Sequence, residues 1–175
     1  MQTNNILYAA GILFYGKTVD KTPFFLLGKD YDNRWSDFGG RCESGDKGDN
    51  EITAIREAWE ESLGCVYDYE SLRRCVKGTN CNYVLSKTPS GHPYYMYLVK
   101  IPFSQIYRDR FLSTKKFISK TNIDKKFLEI NDVKWVSFET IETTMTNKEP
   151  MVKLRSVFEQ NFLNNINEIK KIIRQ

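Results

Sequence analysis

The sequence predicts a single α/β domain over residues 1–175, and three observations predict it. Apolar runs of strand length open the chain, one strongly amphipathic helix follows a long polar segment, and strand-like runs return after it before a final helical stretch. With 41% hydrophobic and 27% charged residues, the chain has enough apolar side chains for a core and lies outside the disordered and disulfide-scaffold compositions.

In chain order, residues 6–14 (ILYAAGILF) read as a strand, and after a polar turn PFFLLGKD reads as its hairpin partner. The segment YDNRWSDFGGRCESGDKGDN is rich in Gly, Asp, Asn and Ser and reads as a loop, long enough to suggest a functional one. A helix is expected from Glu51 to Leu63, with Asp49 or Asn50 as N-cap and Gly64 just past its end. SLRRCVKGTNCNYVLS and HPYYMYLVKIPF read as strands joined at KTPSG, and FLEINDVKWVSF as a late strand. Between them, RDRFLSTKKFISKTNIDKK reads as a loop with a helical turn. Leu154, Val157, Phe158, Phe162, Ile166 and Ile169 recur at helical spacing and predict a C-terminal helix over about 151–173.

Charge and cysteine usage exclude several function classes. A net charge of +4 falls short of the basic stripe of a dedicated nucleic-acid binder. Four cysteines without a CxxC pair read as free thiols, and the one histidine, His92, as a loop residue, so zinc sites and polyhistidine sites are not expected. No uncharged apolar run approaches the roughly 20 residues of a membrane span, and no basic segment precedes the first apolar run. A cytoplasmic protein with no membrane partner is expected, and no protein partner can be inferred.

The chemistry concentrates on the helix. At about 100° per residue, Ile52, Ile55, Trp59 and Leu63 share one side, while Glu57, Glu60 and Glu61 share the other. Carboxylates so close repel one another. Two readings of that face stand at this point: a solvated acidic surface, or oxygen ligands for a hard divalent cation such as Mg2+ or Mn2+.

The stretch Gly39 to Gly64, GGRCESGDKGDNEITAIREAWEESLG, resembles the Nudix box, written G-x5-E-x7-R-E-U-x-E-E-x-G-U with U apolar. Gly40 and Asp46 stand for the opening G-x5-E, with Asp for Glu, and Arg56, Glu57, Ala58, Trp59, Glu60 and Glu61 reproduce R-E-U-x-E-E. The chain departs from the pattern twice: nine residues separate Asp46 from Arg56, and Leu63 takes the usual Gly position with Gly64 one place later. WSDFGG before the box and FLEINDVKWVSFETI after it are also similar to family segments.

The resemblance implies an α/β/α sandwich around a mixed β-sheet and a metal-dependent pyrophosphohydrolase cleaving a diphosphate linkage in a nucleoside diphosphate linked to another group. It implies that Glu57, Glu60, Glu61 and the Gly39 carbonyl hold Mg2+ or Mn2+, and that Arg56 pairs with Asp46, or with Glu43, and orients Glu57. A glutamate outside the box often assists in the family. Glu129 is the candidate here and Glu139 the second. Trp35, Arg34 and Tyr31, just before the box, are candidates for stacking on a base and meeting a phosphate. Tyr94, Tyr95 and Tyr97 read as sheet-face packing. The basic segment with Lys115, Lys116, Lys120, Lys125 and Lys126 keeps capped RNA as a second substrate reading. The altered box spacing keeps a third, a non-catalytic nucleotide-binding module.

Overall fold

The structure, a computed structural model, describes residues 7–78, 81–147 and 150–175. Seven strands form one mixed sheet: β1 (Ala9–Lys17), β2 (Pro23–Lys29), β3 (Trp35–Ser36), β4 (Phe38–Arg41), β5 (Asn82–Lys87), β6 (Pro93–Lys100) and β7 (Asp132–Ser137). β1 is central. Its first half pairs antiparallel with β4 (Gly11 opposite Gly39), its second half antiparallel with β2, and its other edge runs parallel to β6. β5 closes one side on β6, while β3 and β7 both pair with β2.

Burial of β1 on both faces explains why its sequence is a continuous apolar run. On one face Leu13, Phe25, Leu27 and Met96 pack beneath α4 (Phe138–Thr146), α5 (Ser156–Asn164) and α6 (Ile166–Arg174), through Ile141, Phe158, Phe162 and Ile169. On the other, Ile12, Phe14, Leu26 and Val99 pack beneath α1 (Asn50–Glu61), α2 (Tyr69–Lys77) and α3 (Ile106–Ile118), through Ala54, Ile55, Leu72 and Phe111. The result is the expected α/β/α sandwich. Among the described residues no helix is long and apolar enough to cross a membrane.

Several elements differ from the sequence reading. SLRRCVKGTNCNYVLS is not one strand: its first half belongs to α2, capped by Asp68 accepting from the Ser71 N–H (2.8 Å), and only its end forms β5; residues 79–80 lie outside the described set. Leu72 and Val76 anchor α2 at i, i+4, too short a stripe to announce a helix. The basic segment read as a loop is largely α3, thirteen residues held by Tyr107 and Phe111. The long polar loop contains β3 and β4, whose pairing with β2 and β1 no local pattern shows. The late strand ends at Ser137, whose hydroxyl caps α4. The C-terminal helix is two helices meeting at Asn165, and Leu154 before them bridges to Trp35. Residue Ile6 of the first run lies outside the described residues.

Candidate active site

The site forms where β4 and α1 meet. Gly39 and Gly11 face each other so closely that a Cβ on Gly39 would lie 2.7 Å from the Gly11 Cα and 2.6 Å from the Tyr94 hydroxyl. From β4 the chain passes through a 3-10 turn, Ser44–Asp46, into α1. The Asp49 carboxylate caps that helix, accepting from the N–H groups of Glu51 (2.9 Å) and Ile52 (3.2 Å). Ala54, Ile55 and Ala58 pin α1 to the sheet, which directs the glutamate face toward β4.

Arg56 organises that face. Its Nε and Nη2 donate to the two oxygens of Asp46, each at 2.9 Å, in a two-point fork. Nη2 also donates to the Arg41 carbonyl (3.0 Å) and Nη1 to Glu57 Oε1 (2.9 Å), while Glu43 and Glu60 stand at 3.5 Å. The two extra residues between Asp46 and Arg56 are absorbed where Lys47 and Gly48 take left-handed backbone angles, φ 53° and 77°. Burial works against the Asp46 charge, but Arg56, the Glu43 N–H and the Thr53 hydroxyl more than offset it and hold this carboxyl below its usual range. At the far end of α1, Leu63 (φ 56°) and Gly64 (φ 63°) both turn left-handed. Leu63 therefore adopts the conformation for which the box pattern places glycine, at a cost of roughly 1–2 kcal/mol.

The three glutamates experience different fields. Burial pushes Glu57 up to about 7; Arg56 opposes this, and Glu60 and Glu129 reinforce it. Glu61 is pushed well above the usual carboxylate range, by burial first, then by Glu57 and Asp37, although the Gly39 backbone is its hydrogen-bond partner; its Oε2 has none. Glu60 Oε1 accepts from Lys126 Nζ at 2.6 Å. Glu129, at the end of the 3-10 turn Lys125–Leu128, is exposed and lines the same cavity of about 290 Å3 as Gly39, Glu57, Glu60 and Glu61.

A divalent cation fits this donor set in kind. Every side chain on the acidic wall offers hard oxygen, and an orphaned buried carboxylate oxygen costs free energy unless something pairs with it. Among the described residues no three acidic, His or Cys side chains gather tightly enough to hold a metal as they stand; Arg56 holds Glu57 and Lys126 holds Glu60.

The proposed substrate contacts lie elsewhere. Trp35 is buried, its ring under Lys134 Nζ at 4.3 Å. Arg34 is paired with Asp30 (3.0 Å) and Asp32, and Tyr31 is exposed beside Lys115. None of the three lines the acidic cavity. Lys115 is not open to a phosphate backbone either, because its Nζ donates to the Leu128 and Ile130 carbonyls and to Asn131. Glu139 sits exposed in the first turn of α4, on the opposite layer.

Sequence reasoning missed three residues that the fold brings in, Arg41 at the end of β4, Arg155 and Asp37. Arg155, between the Leu154 bridge and α5, lines the acidic cavity from far along the chain. Asp37 is buried and accepts from the Tyr94 hydroxyl; burial raises it to about 6 while Tyr94 and Arg155 pull the other way. Asp37 lies in WSDFGG and could have been noticed there, whereas nothing local marks Arg155.

The chain matches no protein-family model and no curated protein sequence. Its fold is similar to solved structures over nearly all its length. NrtR of Shewanella oneidensis aligns with TM-score 0.53 at 12% identity, covering 94% of this chain and 64% of that one. A mutT/nudix family protein from Listeria innocua aligns with TM-score 0.52 at 11% identity, covering 94% of both chains. The C-terminal domain of mouse MUTYH, solved in complex with human PCNA, aligns with TM-score 0.52 at 9% identity, covering 94% of this chain and 90% of that one. At such identities the likeness concerns the fold, which is that of Nudix domains.

Proposed function

We propose that this chain, a Nudix fold with the R-E-U-x-E-E helix intact, is a metal-dependent pyrophosphohydrolase acting on a nucleoside diphosphate linked to another group. One observation carries the reading: Glu57, Glu60, Glu61 and Glu129 line a polar cavity together with Arg41, Arg56, Lys126 and Arg155. A cavity lined by both carboxylates and cations suits a ligand that is itself anionic and reaches the carboxylates through a cation.

Glu57, Glu60, Glu61 and the Gly39 carbonyl would hold Mg2+ or Mn2+. When bound, such an ion withdraws charge from phosphate oxygens and lowers the pKa of coordinated water. The remaining work belongs to the chain. Arg56 fixes the Glu57 carboxylate and is itself fixed by Asp46, so the acidic wall is set before substrate arrives. Arg41 and Arg155 neutralise the diphosphate, whose negative oxygens otherwise repel a nucleophile. Glu129, exposed, outside the box and on the lining of the same cavity, would accept a proton from the attacking water.

Capped RNA is the second substrate reading, favoured by the exposed cations Arg110, Lys116, Lys120 and Lys125 on and after α3. The test is an assay on nucleoside triphosphates, ADP-ribose, dinucleoside polyphosphates, diphosphoinositol phosphates and capped RNA. Cleavage is expected only with Mg2+ or Mn2+, and Glu60→Gln and Glu61→Gln are expected to lower kcat by orders of magnitude with the fold retained. Undiminished turnover in excess EDTA overturns the reading, and binding without product favours the non-catalytic module.

A further inference from the structure

The fork of Arg56 on Asp46 is backed by two hydroxyl groups that the box pattern does not specify. Tyr8, just before β1, and Thr53, in the first turn of α1, bring their hydroxyls to 3.1 Å of each other, and Thr53 Oγ1 lies 2.8 Å from Asp46 Oδ2. We propose that Thr53 and, through it, Tyr8 are positioning residues of the site, fixing the short Asp46 carboxylate where Arg56 can hold Glu57. The role deepens the hydrolase reading and rests on it, since there Glu57 holds the cation.

Proton count sets the direction of each bond. Asp46 is ionised, its carboxyl being held below the usual range, and a carboxylate only accepts. Thr53 has one proton and gives it to Asp46; the same hydroxyl stands farther from the Asp49 carbonyl, at 3.4 Å. The Tyr8 hydroxyl must then donate to Thr53. A continuous line of hydrogen bonds therefore joins Tyr8, Thr53, Asp46, Arg56 and Glu57.

Burial makes that line hard to replace. Tyr8 is 6% exposed, Thr53 0% and Asp46 1%, so bulk water does not reach a partner left alone there, and an unpaired group is costly. Asp46 takes four donors: Arg56 Nε on Oδ1, and Arg56 Nη2, the Glu43 N–H (2.8 Å) and the Thr53 hydroxyl on Oδ2. That fills the roughly four acceptor sites of a carboxylate. Thr53 precedes Arg56 by three residues and Glu57 by four, which puts all three on one side of α1. Tyr8 is itself anchored, its carbonyl accepting from the Cys42 N–H (3.1 Å) just after β4. An aspartate one methylene shorter than the pattern's glutamate, on a loop two residues longer, needs such added constraint to meet Arg56 in one geometry.

Thr53→Val keeps the branched shape and removes the hydroxyl, Thr53→Ser keeps the hydroxyl, and Tyr8→Phe removes only the far one. In protein labelled at the arginine nitrogens, solvent exchange of the Arg56 Nε proton reports the fork without metal or substrate. Exchange is expected to quicken about tenfold or more in Thr53→Val, to quicken less in Tyr8→Phe, and to return to the wild-type rate in Thr53→Ser. Mn2+ affinity by calorimetry should fall about tenfold or more in Thr53→Val, as for groups that orient metal ligands, and recover in Thr53→Ser. Because Tyr8 acts through Thr53, Tyr8→Phe should add nothing in a Thr53→Val background.

If Thr53→Val lowers Tm but leaves Arg56 exchange and Mn2+ affinity unchanged, the hydroxyls are merely structural and the proposal is overturned; failure of Thr53→Ser to restore either quantity also overturns it. If Thr53→Val does not fold, Tyr8→Phe decides: faster Arg56 exchange supports the line, and an unchanged rate overturns it. The two readings fail separately. Faster Arg56 exchange in Thr53→Val, with no nucleotide cleaved by wild type, leaves the positioning role standing and removes the hydrolase. Metal-dependent cleavage that is equal in wild type and all variants, with exchange unchanged, does the reverse.

Discussion

Glu57 rests its carboxylate against the backbone of Gly40, so closely that a Cβ at Gly40 would lie 2.5 Å from Glu57 Oε1. The first glycine of the box is thereby tied to a glutamate seventeen positions later, and no other residue leaves room for both.

Gly40→Ala should therefore displace Glu57 while sparing the fold, since the obstructing atoms belong to the end of a side chain that can rotate. Cleavage is expected to fall by about a hundredfold or more, in line with misplacing a reacting group by about 1 Å, while Tm changes little. Steady-state assays beside a thermal melt check this; a large loss of Tm would mean that the backbone, not Glu57, had to give.

Arg56→Lys keeps the charge but loses the fork onto Asp46 and the reach to the Arg41 carbonyl. A loss of about 1.5–3 kcal/mol in urea unfolding is expected, the range for hydrogen bonds to charged groups. Activity should drop as well, because Glu57 loses its tether. An unchanged midpoint would show that the fork adds nothing to stability.

Metal should stabilise the folded chain, because it satisfies Glu61 Oε2 and relieves repulsion among Glu57, Glu60 and Glu61. At a hundred times its Kd, a cation adds about 2.7 kcal/mol, visible as a rise in Tm on adding Mn2+ that EDTA reverses. Glu61→Gln is expected to match or exceed wild type without metal and to lose most of the response. An equal response in the variant would remove Glu61 from the cation site.

Asp37 has a folded pKa of about 6, above that of an unfolded aspartate. The fold thus prefers the protonated form, and the stability this gives is full below about pH 4 and lost as pH rises through about 6, on the order of 3 kcal/mol in all. Asp37→Asn keeps an oxygen to accept from Tyr94 and should be the more stable protein at pH 8, with the difference shrinking toward pH 4. Melts across that range measure it. Glu57 and Glu61, also raised, keep part of the slope in both proteins.

The sequence by itself determined the α1 helix and the gathering of Glu57, Glu60 and Glu61 on one face, because helical geometry acts within a few residues, and it narrowed the cap to Asp49 or Asn50, of which the structure uses Asp49. It also determined the buried central strand, whose apolar run needs no partner to be visible. Only the tertiary structure decided what faces those glutamates. Asp46 reaches Arg56 across a lengthened loop through two left-handed residues, Lys126 arrives on a turn after α3, and Arg155 is delivered by a backbone bridge to Trp35. Trp35, Arg34 and Tyr31 suggested a substrate contact from their position before the box and yet stand apart from the acidic cavity: Trp35 is buried, Arg34 is paired with Asp30 and Tyr31 lies beside Lys115. Closeness along the chain says little about closeness in space once a two-residue strand such as β3 turns a side chain into the core. The short stripes of α2 and α3 were illegible for a related reason: two buried residues at i, i+4 specify a helix only when a sheet is there to receive them.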